Sequence, residues 1–433
     1  MARHPSHRVA RVGKRERAAL VGLIAGHARR LEAERSLDEL AGLADAAGAQ
    51  VVLRVLQERP KPDPSTFLGS GKIKMLAGSC AEARVDVVIF DNELSPAQLR
   101  NLEEVLDRAV VDRTQLILDI FARRARTREG KLQVELAQLK YLMPRLVGSS
   151  EALSRLGGGI GTRGPGETKL ETDRRRIRHR ISVLGKEIET VRQRRAQLRE
   201  RRHKAAVPTV ALVGYTNAGK TTLFNALTGD DAVASNALFV TLDPLVRRVK
   251  LPDRRELLVS DTVGFIDRLP HSLVASFRAT LEEVAEADLL LHVIDASAPD
   301  RDRHMAAVAA VLEEVGASRV PAIEVFNKCD RLDEGERTRI EALYAGALCV
   351  SALNGEGRDE VIAAMETRLK LDTATVTFEF DPQDPFDRER IADLYRFGHV
   401  TRHIASDSTI TVEAELPRRL LERFQKEELD ART

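Results

Sequence analysis

The chain has 433 residues, too many for one ordinary hydrophobic core, and this length predicts two to four domains. Hydrophobic residues make up 43% and charged residues 31%, a composition typical of globular proteins in water and unlike that of a membrane or fibrous protein. A net charge of only +2 gives no general attraction to nucleic acid, so nucleic-acid binding would need a local cluster of basic residues.

The cysteines and the N-terminus indicate the compartment. Cys80, Cys329 and Cys349 are far apart and lack the spacing of metal ligands, which argues for a reducing compartment and against a disulfide framework or a zinc site. Residues 1–14 form a basic tail without the apolar core of a signal peptide, and no apolar run approaches the ~18 residues of a membrane span. We expect a cytoplasmic protein without a membrane span that acts as a monomer.

Residues 15–112 predict a small parallel α/β domain. The strand-like runs are AALVGLIAG, VVLRVL, VDVVIF and AVV, and they alternate with the helical runs SLDELAGLADAAG, a stretch near 72–83, and PAQLRNLEEVL. Within this domain LGSGK, residues 68–72, resembles a truncated phosphate-binding loop, but the preceding RPKPDPSTF is too rich in proline for a central strand. We interpret Ser70 as a helix N-cap, with a weak phosphate or RNA contact as the alternative.

Residues 113–206 predict a long antiparallel helical hairpin. Apolar residues recur at steps of three and four residues from Leu132 to Leu146, and again from Ile177 to Leu198. This 3.5-residue period is typical of helices that pair side by side. The second helix is basic, because the stretch from Glu171 to Lys204 contains thirteen Lys and Arg residues against five Asp and Glu residues.

The connection between the two helices contains GGGIGTRGPGETK, residues 157–169. A connection of roughly twenty residues is long for paired helices, and glycines let backbone N–H groups approach an RNA backbone closely. We expect an RNA-contacting tip next to a basic helix that also contacts RNA. The alternatives are a disordered connector and a solvated helix face. The residues assigned to RNA contact are Arg155, Arg163, Lys169, Arg174, Arg175 and Arg178.

A second α/β pattern occupies residues 207–372, with strand candidates PTVALVG, ELLVSD, LLLHVID, AIEVFN and LCVSA. Its first strand leads into GYTNAGKT, residues 214–221, which matches G-x-x-x-x-G-K-[ST] and precedes a helical run. Backbone N–H groups in such a loop wrap the β-phosphate, and the following helix presents its positive end. We expect Lys220 to neutralise the β- and γ-phosphate oxygens and the Thr221 hydroxyl to bind Mg²⁺.

Three further motifs follow predicted strands and together predict binding of GTP. In DTVG, Asp261 is expected to hold the magnesium through water, and the Gly264 N–H to meet the γ-phosphate. In NKCD, Asp330 would accept from N1–H and the 2-amino group of guanine while Lys328 lies along the base. Adenine would leave that carboxylate unpaired, so the site should discriminate against it. Backbone N–H groups of SAL, residues 351–353, can reach guanine O6. In this order the motifs predict a GTP-binding P-loop domain.

The segment between the P-loop helix and Asp261 should supply a second magnesium-binding threonine. Thr241 in NALFVTLDPL is the best candidate, because Thr228 lies too close to the P-loop helix and Thr262 belongs to the next motif. We assign catalytic roles to Lys220, Thr241 and Gly264. The full set of predicted nucleotide contacts is Gly214, Tyr215, Thr216, Asn217, Ala218, Gly219, Lys220, Thr221, Thr222, Phe239, Val240, Thr241, Leu242, Asp243, Asp261, Thr262, Val263, Gly264, Asn327, Lys328, Cys329, Asp330, Ser351, Ala352 and Leu353.

One absence bears on the rate of hydrolysis. Many GTPases carry a glutamine just after DxxG that orients the attacking water, whereas this chain has Phe265. We therefore expect slow intrinsic hydrolysis that a partner stimulates. Residues 373–433, from TVTFEF to ITVEAEL, read as strand, helix, strand and predict a small α+β domain, which completes a multidomain α/β fold class.

These residues resemble the HflX family of ribosome-associated GTPases. The resemblance is carried by GSGK at 69–72, IFDNELSPAQLRNLE at 89–103, the stretch from 112 to 146, GGIGTRGPGETKLETDRRRI at 158–177, and the nucleotide motifs. It implies an N-terminal α/β domain, a helical hairpin, a GTPase domain and often a small C-terminal domain. It also implies binding to the large ribosomal subunit, a hydrophobic residue in place of the catalytic glutamine, and a hairpin tip that reaches towards the peptidyl-transferase region.

The expected function is a Mg²⁺-dependent GTPase that binds the 50S subunit and its rRNA, and rescues, splits or recycles stalled ribosomes under stress. One alternative is an rRNA-remodelling or large-subunit maturation factor that uses GTP or ATP. The other is a signalling GTPase with no RNA partner, whose basic helices dock a protein or an anionic membrane surface.

Overall fold

The computed structural model describes residues 15–25, 30–145, 165–204, 207–230, 232, 238–251, 256–267, 281, 283–369, 371, 373–406, 409–418 and 420–421. These residues fall into two compact units. The first takes its residues from 1–192, 235–243 and 266–279, and the second from 193–234, 244–265 and 280–433. In the part of the chain that the structure describes, no helix is long and apolar enough to span a membrane.

The first unit contains a four-stranded parallel sheet in the order β2-β1-β3-β4. Its elements are β1 Glu16–Ala25, α1 Arg30–Ala46, β2 Ala49–Arg59, α2 Ser70–Glu82, β3 Val87–Phe90, α3 Pro96–Leu106 and β4 Ala109–Asp112. The predicted parallel α/β domain is confirmed. Its core packs apolar strand residues such as Val21, Val88 and Phe90 against Ile73 and Leu102 of the helices.

Local capping explains where α3 begins, whereas α2 begins without a side-chain cap. The Ser95 hydroxyl accepts from the Gln98 N–H, the Gln98 side chain accepts from the Ser95 N–H, and Pro96 occupies the first turn of α3. For α2 the prediction that Ser70 is the N-cap is wrong. The N-cap is Gly69, which makes no side-chain cap, and Ser70 is the first helical residue. The Gly69 N–H instead donates to Gln57 Oε1 at 2.9 Å.

The helical region starts differently from the prediction. The helix expected from Arg113 is two helices, α4 Arg113–Arg124 and α5 Arg128–Arg145. Ile117, Ile120 and Phe121 of α4 are buried, and α4 packs on α1 and on the sheet. The hairpin therefore begins at Arg128 rather than at Arg113.

The hairpin pairs α5 with α6 Pro165–Lys204, a helix of 40 residues. Leu132, Leu136 and Leu184 form one buried cluster, with Leu139, Ile181 and Ile188 packed against it, so the predicted apolar seam is confirmed at these positions. Two ion pairs fix the direction. Arg128 pairs with Glu187, and Glu135, seven residues later, pairs with Arg180, seven residues earlier. The two helices are antiparallel, as predicted.

The second unit contains a six-stranded sheet in the order β10-β9-β8-β5-β7-β6. All neighbouring pairs are parallel except β6 and β7. Its elements are β5 Thr209–Gly214, α7 Lys220–Thr228, β6 Leu245–Lys250, β7 Glu256–Asp261, β8 Leu289–Asp295, α8 Arg301–Glu314, β9 Ala322–Asn327, α9 Glu334–Leu343, β10 Leu348–Cys349 and α10 Arg358–Arg368. The five predicted strands are present. The sequence reading missed β6, an edge strand in which Arg247 and Arg248 are exposed.

The C-terminal elements form an antiparallel three-stranded sheet with one helix. They are β11 Thr373–Phe380, α11 Pro385–Phe397, β12 His399–Ala405 and β13 Ile410–Pro417, with β13 in the centre. The structure adds β12 to the predicted strand, helix and strand. Nearly all of this edge strand is exposed, so it lacks the alternating pattern that identifies a half-buried strand.

Candidate nucleotide site

The loop between β5 and α7 has a backbone that only a glycine-rich sequence can adopt. Asn217 has φ 61° and Gly219 has φ 94°, both in the left-handed region. A Cβ on Gly219 would lie 2.1 Å from Asn327 Nδ2, and a Cβ on Gly214 would lie 2.2 Å from the Val293 carbonyl oxygen. The loop therefore lies so close to the neighbouring strands that Gly214 and Gly219 leave no room for a side chain, as expected of a loop that wraps a phosphate.

Lys220 lies at the centre of this loop and is buried. Its ammonium group donates to the carbonyl oxygens of Gly214 at 3.0 Å and Tyr215 at 2.8 Å. Burial lowers the pKa of Lys220 to about 8, because the charged form loses hydration. Asp261 opposes this shift and Lys328 adds to it. An ammonium held in so dry a position would be stabilised strongly by phosphate oxygens.

Thr221 and Asp261 place two oxygen atoms that can bind a metal ion beside Lys220. The Thr221 hydroxyl donates to Asp261 Oδ2 at 2.8 Å, and Asp261 is fully buried at the end of β7. Among the described residues, no group of three or more His, Cys, Asp or Glu side chains is arranged so that it could hold a metal ion by itself. A hydroxyl and one carboxylate fit Mg²⁺, which in phosphate sites takes few protein ligands and completes its shell with phosphate oxygens and water.

The DTVG segment packs directly on the loop. The Thr216 N–H donates to the Phe265 carbonyl at 2.7 Å, and the Phe265 N–H donates to the Gly214 carbonyl at 3.1 Å. A Cβ on Gly264 would lie 2.8 Å from Thr216 Cγ2 and 3.0 Å from Lys220 Nζ. Glycine is therefore required here by close approach. The Phe265 side chain is fully buried, so it is part of the core.

Asn327 joins three of the predicted motifs. Its Nδ2 donates to the Ala218 carbonyl at 2.9 Å, and its Oδ1 accepts from the Ala352 N–H at 2.9 Å. Its side chain is 2% exposed, and both of its polar atoms are satisfied. One amide thus holds the P-loop, NKCD and SAL in a single arrangement.

The base-recognition residues are oriented by side-chain contacts. Lys328, with φ 66°, donates to the Asn217 carbonyl at 2.7 Å and to Asp295 Oδ2 at 2.6 Å. The Ser351 hydroxyl donates to Asp330 Oδ1 at 2.6 Å, which fixes the carboxylate expected to meet guanine. The sequence reading missed Asp295. An acidic residue at the carboxyl end of the predicted strand LLLHVID was the available signal.

A second contact that the sequence reading missed supports the P-loop from the side. The ring of His304 on α8 stacks on the ring of Tyr215, with centroids 3.9 Å apart and planes at 15°. Tyr215 is also bridged to Phe265. No motif pointed to this histidine, because it lies on a helix far along the chain.

The segment with Thr241 belongs to the first unit. Phe239 is buried and packs edge-to-face on Phe121 of α4, with ring centroids 4.8 Å apart. The Asp243 carboxylate accepts from the N–H groups of Arg126 at 2.7 Å and Thr127 at 2.8 Å, immediately before α5 begins. The structure thus shows two contacts of this segment inside the first unit, and its contact with the nucleotide stays a prediction.

The predicted RNA contacts are described in part. Arg155 and Arg163 lie outside the described residues, as does residue range 157–164 of the glycine-rich stretch. Lys169 lies in the helix α6, but its side chain is outside the description. Arg174, Arg175 and Arg178 lie on α6, where Arg175 and Arg178 are exposed and Arg174 is half-buried.

Three protein-family models match successive parts of the chain. A family described as GTP-binding GTPase N-terminal matches residues 34–122, and one described as GTP-binding GTPase Middle Region matches residues 124–202. A family described as 50S ribosome-binding GTPase matches residues 209–328. The third match covers the P-loop, DTVG and the first two residues of NKCD.

Two curated relatives are similar along most of their length. A protein named GTPase HflX from Caldanaerobacter subterraneus subsp. tengcongensis is 46% identical over 95% of this chain and 93% of the relative. A protein of the same name from Escherichia coli is 45% identical over 88% of this chain and 89% of the relative. A solved GTP-binding protein from Sulfolobus solfataricus, in complex with GDP, is 24% identical with a TM-score of 0.43, over 82% of this chain and 98% of that protein.

Proposed function

The chain belongs to the HflX family of GTPases, and on that premise we propose that it is a Mg²⁺-dependent factor that binds the large (50S) ribosomal subunit. It would act in the cytoplasm, as a monomer, to rescue, split or recycle stalled ribosomes under stress. GTP hydrolysis follows from the family and from a complete P-loop domain. The observation that carries the ribosomal partner is the match of residues 209–328 to a 50S ribosome-binding GTPase family.

The geometry supports a defined role for each nucleotide-binding group. Lys220 would exchange its two carbonyl acceptors for β- and γ-phosphate oxygens, which would stabilise its charge. Thr221 and Thr241 would bind the Mg²⁺, with Asp261 acting through water. When bound, the ion supplies positive charge at the β- and γ-phosphates.

Guanine selectivity would come from a carboxylate that is already oriented. Ser351 holds one oxygen of Asp330, and the Lys328 ammonium donates to the Asn217 carbonyl and to Asp295. Asp330 is exposed in this structure and would be covered by a bound base, so a base that cannot donate two hydrogen bonds to its carboxylate would leave a charged group unpaired and would bind poorly. Secondary use of ATP at this site is therefore disfavoured.

The basic face of α6 would contact ribosomal RNA. The stretch from Glu171 to Lys204 has an excess of eight positive charges. The apolar seam at Leu184 packs towards α5, while Arg175 and Arg178 stay exposed. Contacts between arginines and phosphates release counterions, so their strength falls steeply with salt.

Nucleotide state would reach the hairpin through the segment 239–243. Its last residue, Asp243, lies two residues after the predicted magnesium ligand Thr241. The Asp243 carboxylate accepts from the N–H groups of Arg126 and Thr127, directly before α5 begins. Binding of GTP would order this segment, and hydrolysis would release it, as in other nucleotide switches. The orientation of the hairpin would therefore depend on whether GTP or GDP is bound.

A subunit-dissociation assay on assembled 70S particles tests this function. Light scattering should fall when the protein and GTP are added together, and it should stay constant with GDP. Constant scattering with GTP, combined with activity on immature large subunits, would instead favour a maturation factor. Failure to sediment with ribosomes at any salt concentration would favour a signalling GTPase without an RNA partner.

A further inference from the structure

GTP hydrolysis needs a group that holds the attacking water, and the residue that usually does so is missing. Phe265 occupies the position after DTVG, and its side chain is fully buried in the core. A phenyl ring can neither donate nor accept a hydrogen bond to water. The water must therefore be held by another group close to Gly264.

Thr216 is the side chain that packs most closely on Gly264. A Cβ built on Gly264 would lie 2.9 Å from Thr216 Cα and 2.8 Å from Thr216 Cγ2, with Lys220 Nζ at 3.0 Å from the same point. Thr216, Lys220 and Gly264 therefore converge on one small volume. In the nucleotide site this is the side where the γ-phosphate would be bound.

The hydroxyl of Thr216 is buried without a hydrogen-bond partner. Thr216 is 7% exposed, and its Oγ1 is among the buried polar side-chain atoms that have no partner in the described structure. Such a group costs roughly 1–3 kcal/mol, and in a native fold it calls for an explanation.

The neighbouring threonines behave differently. Thr221 donates to Asp261, Thr262 donates to the Leu212 carbonyl at 2.6 Å, and Thr228 donates to the Phe224 carbonyl at 2.7 Å. These hydroxyls are satisfied within the fold. Thr216 alone among these four carries its hydroxyl unsatisfied, at the residue that faces Gly264.

We propose that Thr216 is a positioning residue for GTP hydrolysis, whose hydroxyl accepts a hydrogen bond from the attacking water and donates to a γ-phosphate oxygen. The water oxygen then bonds to the γ-phosphorus as the bond to the β–γ bridging oxygen breaks. The electron pair of that bond leaves with GDP, and the water proton passes to the released phosphate. The hydroxyl is neutral before and after the step. This role concerns hydrolysis itself and does not depend on the ribosomal partner.

Two substitutions separate this role from a structural one. Thr216→Val keeps the shape of the side chain and removes the hydroxyl, whereas Thr216→Ser keeps the hydroxyl. In single-turnover GTP hydrolysis, the valine variant should lose roughly tenfold to hundredfold in rate, the scale of one transition-state hydrogen bond. The serine variant should recover most of the rate. The Kd for GDP should change less than about threefold in both variants, because the GDP complex contains neither the γ-phosphate nor the attacking water.

Thr228→Val is the matched control, because it removes a hydroxyl that is hydrogen-bonded within the fold, at the end of the helix that follows the P-loop. It should lower the melting temperature while leaving the rate constant for hydrolysis unchanged, and Thr216→Val should melt at or above the wild-type temperature. An unchanged rate in Thr216→Val would overturn the proposal. So would a fall in melting temperature as large as that of Thr228→Val, because the hydroxyl would then be bonded within the free protein.

Discussion

Two stretches of this chain combine glycines with a lysine at the start of a helix, and only one has the surroundings of a phosphate site. In GYTNAGKT, the lysine is buried, Gly219 is left-handed, and Asn327 closes the loop from a distant strand. In LGSGK, Lys72 is half-buried and helps line an open cleft of about 610 Å³ together with Arg59 and Asp63.

The difference lies in what precedes and encloses each loop. The P-loop follows a central parallel strand, so its N–H groups face the edge of the sheet where ligands bind. The stretch at 68–72 follows a turn closed by an antiparallel bridge between Asp63 and Phe67. Short glycine-lysine motifs therefore identify a nucleotide site only when strand order and distant side chains complete it.

Removing each lysine tests this contrast most strongly. Lys220→Ala should weaken GTP binding by at least about hundredfold, because it deletes a buried charge aimed at the phosphates. Lys72→Ala should leave GTP binding within about twofold of wild type. Fluorescence titration with a labelled GTP analogue measures both. Equal losses of GTP affinity in the two variants would contradict the assignment of the phosphate site to GYTNAGKT alone.

The guanine contact gives the next largest effect. Asp330→Asn replaces a double acceptor by a group that also donates, so affinity for GTP should fall by about tenfold to hundredfold. Affinity for xanthosine triphosphate should rise, since its 2-oxo group can accept from the new amide. Competition titrations with the two nucleotides measure this exchange. An unchanged preference for GTP would contradict the placement of Asp330.

The lowered pKa of Lys220 predicts that GTP binding depends on pH. Burial holds the pKa of Lys220 at about 8 in the free protein, so the ammonium is present below pH 8 and is lost as the pH rises through 8. Bound phosphates favour the charged form, so binding above pH 8 should take up a proton, and affinity should fall by up to about tenfold per pH unit. Calorimetry in two buffers with different ionisation enthalpies measures the proton uptake. Its absence at pH 8.5 would refute the assignment.

The smallest effect is expected at the side contact between the segment 239–243 and α5. Asp243→Asn weakens the hydrogen bonds that this side chain accepts from the Arg126 and Thr127 N–H groups. The free energy of unfolding should fall by about 1 kcal/mol. Amide hydrogen exchange in the first turn of α5 should become faster. Glu135→Gln, which removes the exposed ion pair with Arg180, is the control and should cost less than 1 kcal/mol. Identical hydrogen exchange in Asp243→Asn and wild type would show that these hydrogen bonds do not stabilise the start of α5.

The sequence predicts those features that depend on nearby residues. Apolar runs identified five strands of the nucleotide sheet, and the 3.5-residue period identified the seam that contains Leu132, Leu136 and Leu184. It missed β6, because Arg247 and Arg248 interrupt the short apolar pattern of Leu245, Val246 and Val249. Ser70 was mistaken for a cap, because Gln57, twelve residues away, satisfies the backbone of Gly69 instead.

The contacts that the sequence could not predict join residues far apart in the chain. Asn327 reaches Ala218 over 109 positions, and Asp243 reaches Thr127 over 116. The break between α4 and α5 coincides with that second contact, so helical periodicity alone extended α4 too far. Motifs located the nucleotide site, whereas its enclosure depends on these long-range hydrogen bonds.

The proposal that the large ribosomal subunit stimulates this GTPase is tested most directly by GTP turnover, measured with and without purified 50S subunits and with 30S subunits as the control. Because Phe265 leaves the water without its usual partner, turnover by the protein alone should be slow. The 50S subunit should raise kcat by at least about tenfold, on the scale that partners achieve for other GTPases, and the 30S subunit should not. Equal turnover by the protein alone, with 50S subunits and with 30S subunits would contradict stimulation by the large subunit.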